Sequence, residues 1–257
     1  MSGQTTAPLT WISPSEFKLD GLLFTCDFIS HLNRATDEQS IIIAKTRGLI
    51  DLLYKHLSVV KPQTMLEIGI AQAGSSFLYT SLFNLSKYVG IDMSPADAKV
   101  LAMLKEKYGP DRVKLYYQTL QTDKARIAQI CNDEFGGLCD VVIDDGSHQY
   151  ELSVQTVEVA LPHLRPGGLY IIEDWGWAHW PGAKWQDKKK GYNVGKPALS
   201  NLVFELIMLC ASRPDIISYG VIEKVFAIFQ RGSSELDWQT FKLKESYLTQ
   251  GRRFRTL

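Results

Sequence analysis

Two apolar runs of this chain end in paired acids. "DVVIDDGSH" (140–148) closes on Asp144 and Asp145, with His148 three residues beyond Asp145. "GLYIIEDW" (168–175) closes on Glu173 and Asp174. Carboxylates gathered in a partly desolvated crevice repel one another, and some must take up protons. A divalent cation removes that conflict, and hard oxygen donors suit Mg²⁺ or Mn²⁺. Consecutive strand side chains point to opposite faces, so the four acids cannot all reach one ion unless the backbone turns there. The plainer readings are a helix cap at Asp145, ahead of Gly146-Ser147, and exposed loop charge at Glu173-Asp174. His148 is either structural or a base: a neutral imidazole beside such a site can accept the proton of a hydroxyl.

A second constellation lies upstream, in "EIGIAQAGSS" (67–76). Gly69 and Gly74 flank a turn, and a helix is expected to start near Ser75. Glycines let backbone approach a ligand closely, and a helix N-terminus offers free amides to an anion. Asp92 ends the next apolar run, "VGIDM", where an acid can accept hydrogen bonds from two ribose hydroxyls. A tight strand-to-helix turn without a ligand is the alternative. Glu67 stands two residues before the first glycine, where it could serve a cationic amine. S-adenosylmethionine carries such an amine and NAD does not.

The elements that must position these groups alternate. Strands are expected at 64–70, 88–93, 113–118, 139–145 and 168–174, with helices at 75–85, 95–108, 124–135 and 150–164 between them. Such alternation implies a parallel sheet covered on both faces. A helix at 199–212 precedes two strand-like runs, 215–221 and 224–231, separated by too little chain for a crossover, so they must pair antiparallel. The expected fold class is α/β: a Rossmann-like, doubly wound, mostly parallel sheet with a C-terminal antiparallel strand pair. Residues 1–60 read as a mostly helical lead-in, serving as cap or oligomer contact, on the helical spacing of Ile42, Leu49, Leu52, Leu53 and Leu57. The domain then runs over 61–231, and a tail over 232–257.

Between 175 and 198 the rhythm breaks into an insert with Trp175, Trp177, Trp180 and Trp185. Directly behind the acids, such rings could stack on an apolar face of a sugar or aromatic acceptor and exclude water. They could equally make a dimer contact or ordinary loop packing. His179 and Tyr192, in the same insert, are further candidates for touching substrate, whereas His163 more simply finishes a helix. With 28 basic and 28 acidic residues the chain shows no bulk charge that would drive nucleic-acid binding. The four cysteines have neither zinc nor redox spacing. No run is apolar over the roughly 18 residues a bilayer requires, and the N-terminus lacks signal-peptide character. A cytoplasmic, non-membrane protein is expected, with a homo-oligomer an open option.

Together "EIGIAQAGSS", "GIDMS", "IDDGSH", "LRPGGLYIIEDW" and the closing strand pair resemble the class I S-adenosylmethionine-dependent methyltransferases. Within them the chain is similar to the metal-dependent O-methyltransferases of the macrocin and mycinamicin sugar type and the related cephalosporin hydroxylase-like proteins. The resemblance covers about 60–231. It implies that Glu67, Gly69, Gly74 and Ser75 surround the methionine part of S-adenosylmethionine and that Asp92 holds its ribose. Thr119-Leu120 stand where the family often has glycine and aspartate near the adenine, which leaves Gln121 for the adenine edge and Leu120 as an apolar wall. It further implies Asp145, Glu173 and Asp174 as ligands of Mg²⁺ or Mn²⁺, with Asp144 behind them or near the cofactor, and His148 as the base. Trp175, Trp177, His179 and Tyr192 are then the expected substrate contacts. The implied activity is methyl transfer to a hydroxyl of a small molecule, a sugar or natural-product intermediate. Transfer to a phenol, catechol, carboxylate or amine, and a non-catalytic cofactor-binding partner protein, are the alternatives; an NAD-linked oxidoreductase lacks a hydride-transfer constellation.

Overall fold

The computed structural model describes residues 8–28, 36–192 and 194–252. The chain divides into two compact units, Met1–Leu66 with Ile70–Thr119, and Glu67–Gly69 with Leu120–Leu257.

The first unit opens with four short strands, β1 (Thr10–Trp11), β2 (Glu16–Leu19), β3 (Leu22–Cys26) and β4 (Ile41–Ile43). They form their own sheet in the order β1-β2-β3-β4, antiparallel except for the parallel β3–β4 pair. The helical lead-in expected over 1–60 is therefore corrected: among the described residues only α1 (Arg47–Val60) is helical there. Two local signals explain the difference. Asp20 and Gly21 both have positive φ, 51° and 78°, and make the two-residue hairpin turn that Asp-Gly favours. Three consecutive isoleucines at 41–43 suit a strand better than a helix. The helix begins only at Thr46, whose hydroxyl accepts the Leu49 N–H. Residues 1–7 and 29–35 of that lead-in, and 253–257 of the tail, lie outside the described residues.

The unit continues through β5 (Thr64–Ile68), α2 (Gly74–Leu82), β6 (Lys87–Ile91), α3 (Ala98–Tyr108) and β7 (Val113–Tyr116). Asp97 caps α3 by accepting the Lys99 and Val100 N–H groups. β6 and β7 pair in parallel. Gly74, the first residue of α2, has a packing duty: a Cβ built there would lie 2.0 Å from the carbonyl oxygen of Ile42 and 2.9 Å from Ile43 Cγ2. The close approach it permits is thus by the protein's own β4. Gly74→Ala is expected to lower stability by about 1–3 kcal/mol, as overpacking does. Gly48→Ala, on α1 with open space around it, is the control, expected to be neutral or stabilising by up to about 1 kcal/mol. Urea midpoints of the two variants measure the difference, and equal midpoints would refute the packing argument.

The second unit holds α4 (Lys124–Phe135), β8 (Cys139–Asp144), α5 (Tyr150–Ala160), β9 (Leu164–Glu173), a 3₁₀ turn at Trp177–His179, α6 (Ala183–Gln186), α7 (Ser200–Ser212), β10 (Ile217–Ile222), β11 (Phe226–Arg231) and α8 (Leu243–Ser246). Asp123 and Gly136 bound α4, one accepting the Arg126 N–H and the other ending the helix in the left-handed region. β8 and β9 are parallel; β11 pairs antiparallel with both β9 and β10. The closing strand pair read from the sequence is therefore present. β5 straddles the division between units, and the seven-stranded sheet has the order β10-β11-β9-β8-β5-β6-β7. Val141, Val142 and Ile143 of β8 and Ile171 and Ile172 of β9 are buried on both faces, as central strands of a covered parallel sheet must be. The fold is α/β with a mostly parallel sheet. Among the described residues, no helix is long and apolar enough to cross a membrane.

Candidate active site

Neighbouring strands β8 and β9 end in the two acidic pairs. Their register sets Asp144 against Ile172, so the chain leaves β8 one residue before it leaves β9. Beyond those ends the backbone turns sharply. Asp174 has φ 56° and His148 has φ 53°. Asp and His are among the side chains that tolerate the left-handed region best. The turn at Asp174 is fixed from outside, since its N–H donates to the carbonyl of Val225 in the β10–β11 hairpin at 2.8 Å. These two turns bring Asp145, His148 and Asp174 together: each offers a donor atom, and the three atoms lie within 4.8 Å of one another. His148 Nε2 is 3.8 Å from Asp145 Oδ1. Left-handed non-glycine residues concentrate at functional sites, where the surroundings over-determine them.

The gathered set differs from the expected one. Glu173 is not in the group. It is the last residue of β9, buried and paired in register with Phe226, whereas Asp174 lies beyond the strand, where the backbone turns. Asp144, which was not expected among the ligands, lies outside the group as well. It is buried at the end of β8, where it accepts the hydroxyl of Tyr170 at 3.2 Å. Burial pushes its carboxyl up to about 7, while the Gly146 N–H and the Tyr170 hydroxyl pull the other way.

The two carboxylates, Asp145 and Asp174, are hard oxygen donors that fit a divalent cation such as Mg²⁺ or Mn²⁺, and the imidazole nitrogen of His148 lies beside them.

The turn between β8 and α5 is braced by Gln121. Its amide oxygen accepts the Ser147 N–H at 2.9 Å and its nitrogen donates to Thr156 Oγ1 at 3.0 Å. Each end of this amide makes a hydrogen bond within the protein, and the side chain holds the loop that carries His148. Leu120 is 55% exposed. Glu67 is fully buried near the end of β5. Gly69, at φ 89°, is met by the Asp145 carbonyl oxygen, 2.2 Å from where a Cβ would stand. This glycine lets β5 lie against the start of the Asp145 turn.

Of the insert, Trp177 and Tyr192 reach the site. The Trp177 ring stands 4.3 Å from the His148 ring and 5.3 Å from that of Tyr192. Trp180 and Trp185 complete the cluster. The Tyr192 hydroxyl donates to the Ser147 carbonyl at 3.0 Å; burial, and then the Asp174 carboxylate, push its phenol up. The indole N–H of Trp177 is buried with no partner among the described residues. Trp175 and His179 are held elsewhere. The Trp175 N–H donates to the Glu223 carbonyl at 2.9 Å, and His179 Nε2 is 2.7 Å from Ser200 Oγ on α7. The sequence placed Trp177 behind the acids as a substrate contact, but its contact with His148 was not legible there.

In the first unit, Asp92 follows β6 and is half-buried. Its Oδ2 accepts the N–H groups of Ile70 and Ala71 at 2.9 and 2.8 Å, and its Oδ1 that of Ser94 at 2.8 Å. The acid thereby pins the turn before α2, in which Ala71 and Ala73 take positive φ of 45° and 60°. Ser75 is buried in the first turn of α2.

Residues 66–175 match a protein family described as a methyltransferase domain. Over 46 residues, 18% of this chain and 12% of the relative, the domain is 54% identical to demethylmacrocin O-methyltransferase of Streptomyces fradiae. Over 128 residues, 46% of this chain and 28% of the relative, it is 34% identical to mycinamicin VI 2''-O-methyltransferase of Micromonospora griseorubida. The chain thus spans less than a third of the length of these curated relatives. Among solved structures, the MycE methyltransferase from the mycinamycin biosynthetic pathway, in complex with Mg, SAH and mycinamycin VI, is similar in fold. The TM-score is 0.55 at 24% identity, covering 72% of this chain and 50% of that one. The matched segment spans β8, α5 and β9, and with them Asp145, His148 and Asp174.

Proposed function

We propose that the protein transfers a methyl group from S-adenosylmethionine to a hydroxyl of a small molecule, with a divalent cation and His148 assisting. The observation that carries this reading is the convergence of Asp145, His148 and Asp174 at the strand ends of a methyltransferase domain. The named relatives support a sugar hydroxyl of a natural product as the acceptor.

The carboxylates of Asp145 and Asp174 are the residues that would hold Mg²⁺ or Mn²⁺. When bound, such an ion supplies positive charge that acidifies an acceptor hydroxyl. His148 then takes the hydroxyl proton on its imidazole. The freed oxygen forms a bond to the methyl carbon as the carbon–sulfur bond breaks, and the sulfonium becomes the neutral thioether of S-adenosylhomocysteine. Because the sulfonium is already a good leaving group, the chain's main task is alignment of oxygen, carbon and sulfur. Trp177 serves it twice, by fixing the imidazole from one side and by offering a buried indole N–H that still requires an acceptor.

Two measurements test the assignment. S-adenosylmethionine and S-adenosylhomocysteine are expected to raise the melting temperature, and NAD is not; a shift with NAD alone would overturn the cofactor. Methyl-labelled cofactor incubated with a panel of sugar-bearing natural products should give a labelled product by mass spectrometry. Label appearing on phenols or amines but never on a sugar would reject the acceptor class.

A further inference from the structure

β6 and β7 run parallel with Ile91 opposite Tyr116, and the Asp92 N–H donates to the Tyr116 carbonyl at 3.1 Å. The Asp92 carbonyl in turn accepts the Thr119 N–H at 2.9 Å. Tyr117 is thus held abreast of Asp92, and residues abreast on parallel neighbours leave the sheet on the same face. The Tyr117 hydroxyl is buried and has no hydrogen-bond partner among the described residues. So is Oε1 of Gln72, which sits on the turn that Asp92 pins through Ile70 and Ala71. Buried polar atoms are nearly always satisfied, and an orphan requires an explanation.

The donor and acceptor count supplies one. A carboxylate has about four acceptor positions, and backbone N–H groups of Ile70, Ala71 and Ser94 fill three of those on Asp92. One acceptor position on Asp92 and the orphan oxygen of Gln72 remain for two hydroxyl donors. The Tyr117 hydroxyl remains as a donor to a hydroxyl oxygen. A vicinal diol offers that complement. Burial, and then the carboxylates of Asp92 and Asp97, push the Tyr117 phenol up to about 12, so it keeps its proton at neutral pH.

We propose that Tyr117 and Gln72 bind the ribose diol of the S-adenosyl cofactor together with Asp92. This rests on the cofactor reading above and adds two binding residues that the sequence did not reveal.

The test is Tyr117→Phe in the full chain, with S-adenosylhomocysteine as the probe in calorimetric titration. Binding is expected to weaken about tenfold, the worth of one hydrogen bond. The ligand-free melting temperature should stay level or rise, because the substitution removes an unsatisfied buried hydroxyl. A purely structural tyrosine would show the opposite, a lower melting temperature. Gln72→Leu should likewise weaken binding. Wild-type affinity in Tyr117→Phe, or a loss of binding that merely tracks a loss of stability, overturns the inference alone. A wild-type protein that fails to bind S-adenosylhomocysteine overturns the cofactor reading and the inference with it.

Discussion

Replacing His148 with asparagine is expected to lower methyl transfer by about 10²–10⁴-fold, the range that a positioned general base contributes. Asparagine is the informative substitution. Residue 148 has φ 53°, a conformation that asparagine tolerates better than alanine does. An alanine variant would combine backbone strain with loss of the imidazole. The asparagine variant should therefore keep the Asp145 turn, and its affinity for S-adenosylhomocysteine should stay within about twofold, well under the effect of losing one hydrogen bond. Mn²⁺ binding, followed by electron paramagnetic resonance, separates two roles for the ring. If His148 is the base, Mn²⁺ affinity is nearly preserved while turnover collapses. If the ring is chiefly a ligand, affinity and turnover fall together and the base assignment is wrong. Near-normal turnover in the variant would remove His148 from the mechanism altogether.

Removing divalent cations is expected to abolish turnover, and Mg²⁺ to restore it. The corresponding variant is Asp174→Asn, which again suits a left-handed backbone, at φ 56°, and removes one negative charge. Losing a supporting partner of a metal ligand costs about 10–100-fold in affinity. Loss of a carboxylate at the site itself should weaken Mn²⁺ binding by at least about 100-fold. Glu173→Gln is the contrasting variant. Glu173 is buried inside the β9–β11 pairing and outside the three-residue group, so its substitution should leave Mn²⁺ affinity much closer to wild type. Equal losses in the two variants would show that Glu173 is a ligand after all. Full activity in excess chelator would eliminate the cation from the reaction.

Much of this site is legible in one dimension because its residues are close in sequence. Asp144, Asp145 and His148 occupy one strand end and the loop after it, and Glu173 with Asp174 another. The alternation of apolar runs and helices is enough to make those two strands candidates for neighbours. What cannot be read is which member of each acidic pair turns toward the other. That depends on backbone torsion at a single residue. Asp174 leaves the line of β9 because a carbonyl of the β10–β11 hairpin, Val225, captures its N–H, and that contact joins positions 51 residues apart. Gln121 is a similar case: its hydrogen bonds to Ser147 and Thr156 brace the loop that carries His148, and no local pattern announces them.

The N-terminal region teaches the converse. Asp20-Gly21 and the isoleucine run at 41–43 are local signals, and they were sufficient to indicate strands. The helical spacing downstream of Thr46 obscured them when extended too far toward the N-terminus.

By itself the sequence determined the α/β class, the closing antiparallel pair and the residue types from which a cation-assisted transfer site could be built, because periodicity, turn chemistry and motif spacing act over a few residues. Only the tertiary structure decided that Asp145, His148 and Asp174 converge while Glu173 stays behind, and that Trp177 rather than Trp175 lies against the imidazole. Those choices are made by hydrogen bonds and ring contacts between distant segments, and such contacts exist only once the chain has folded.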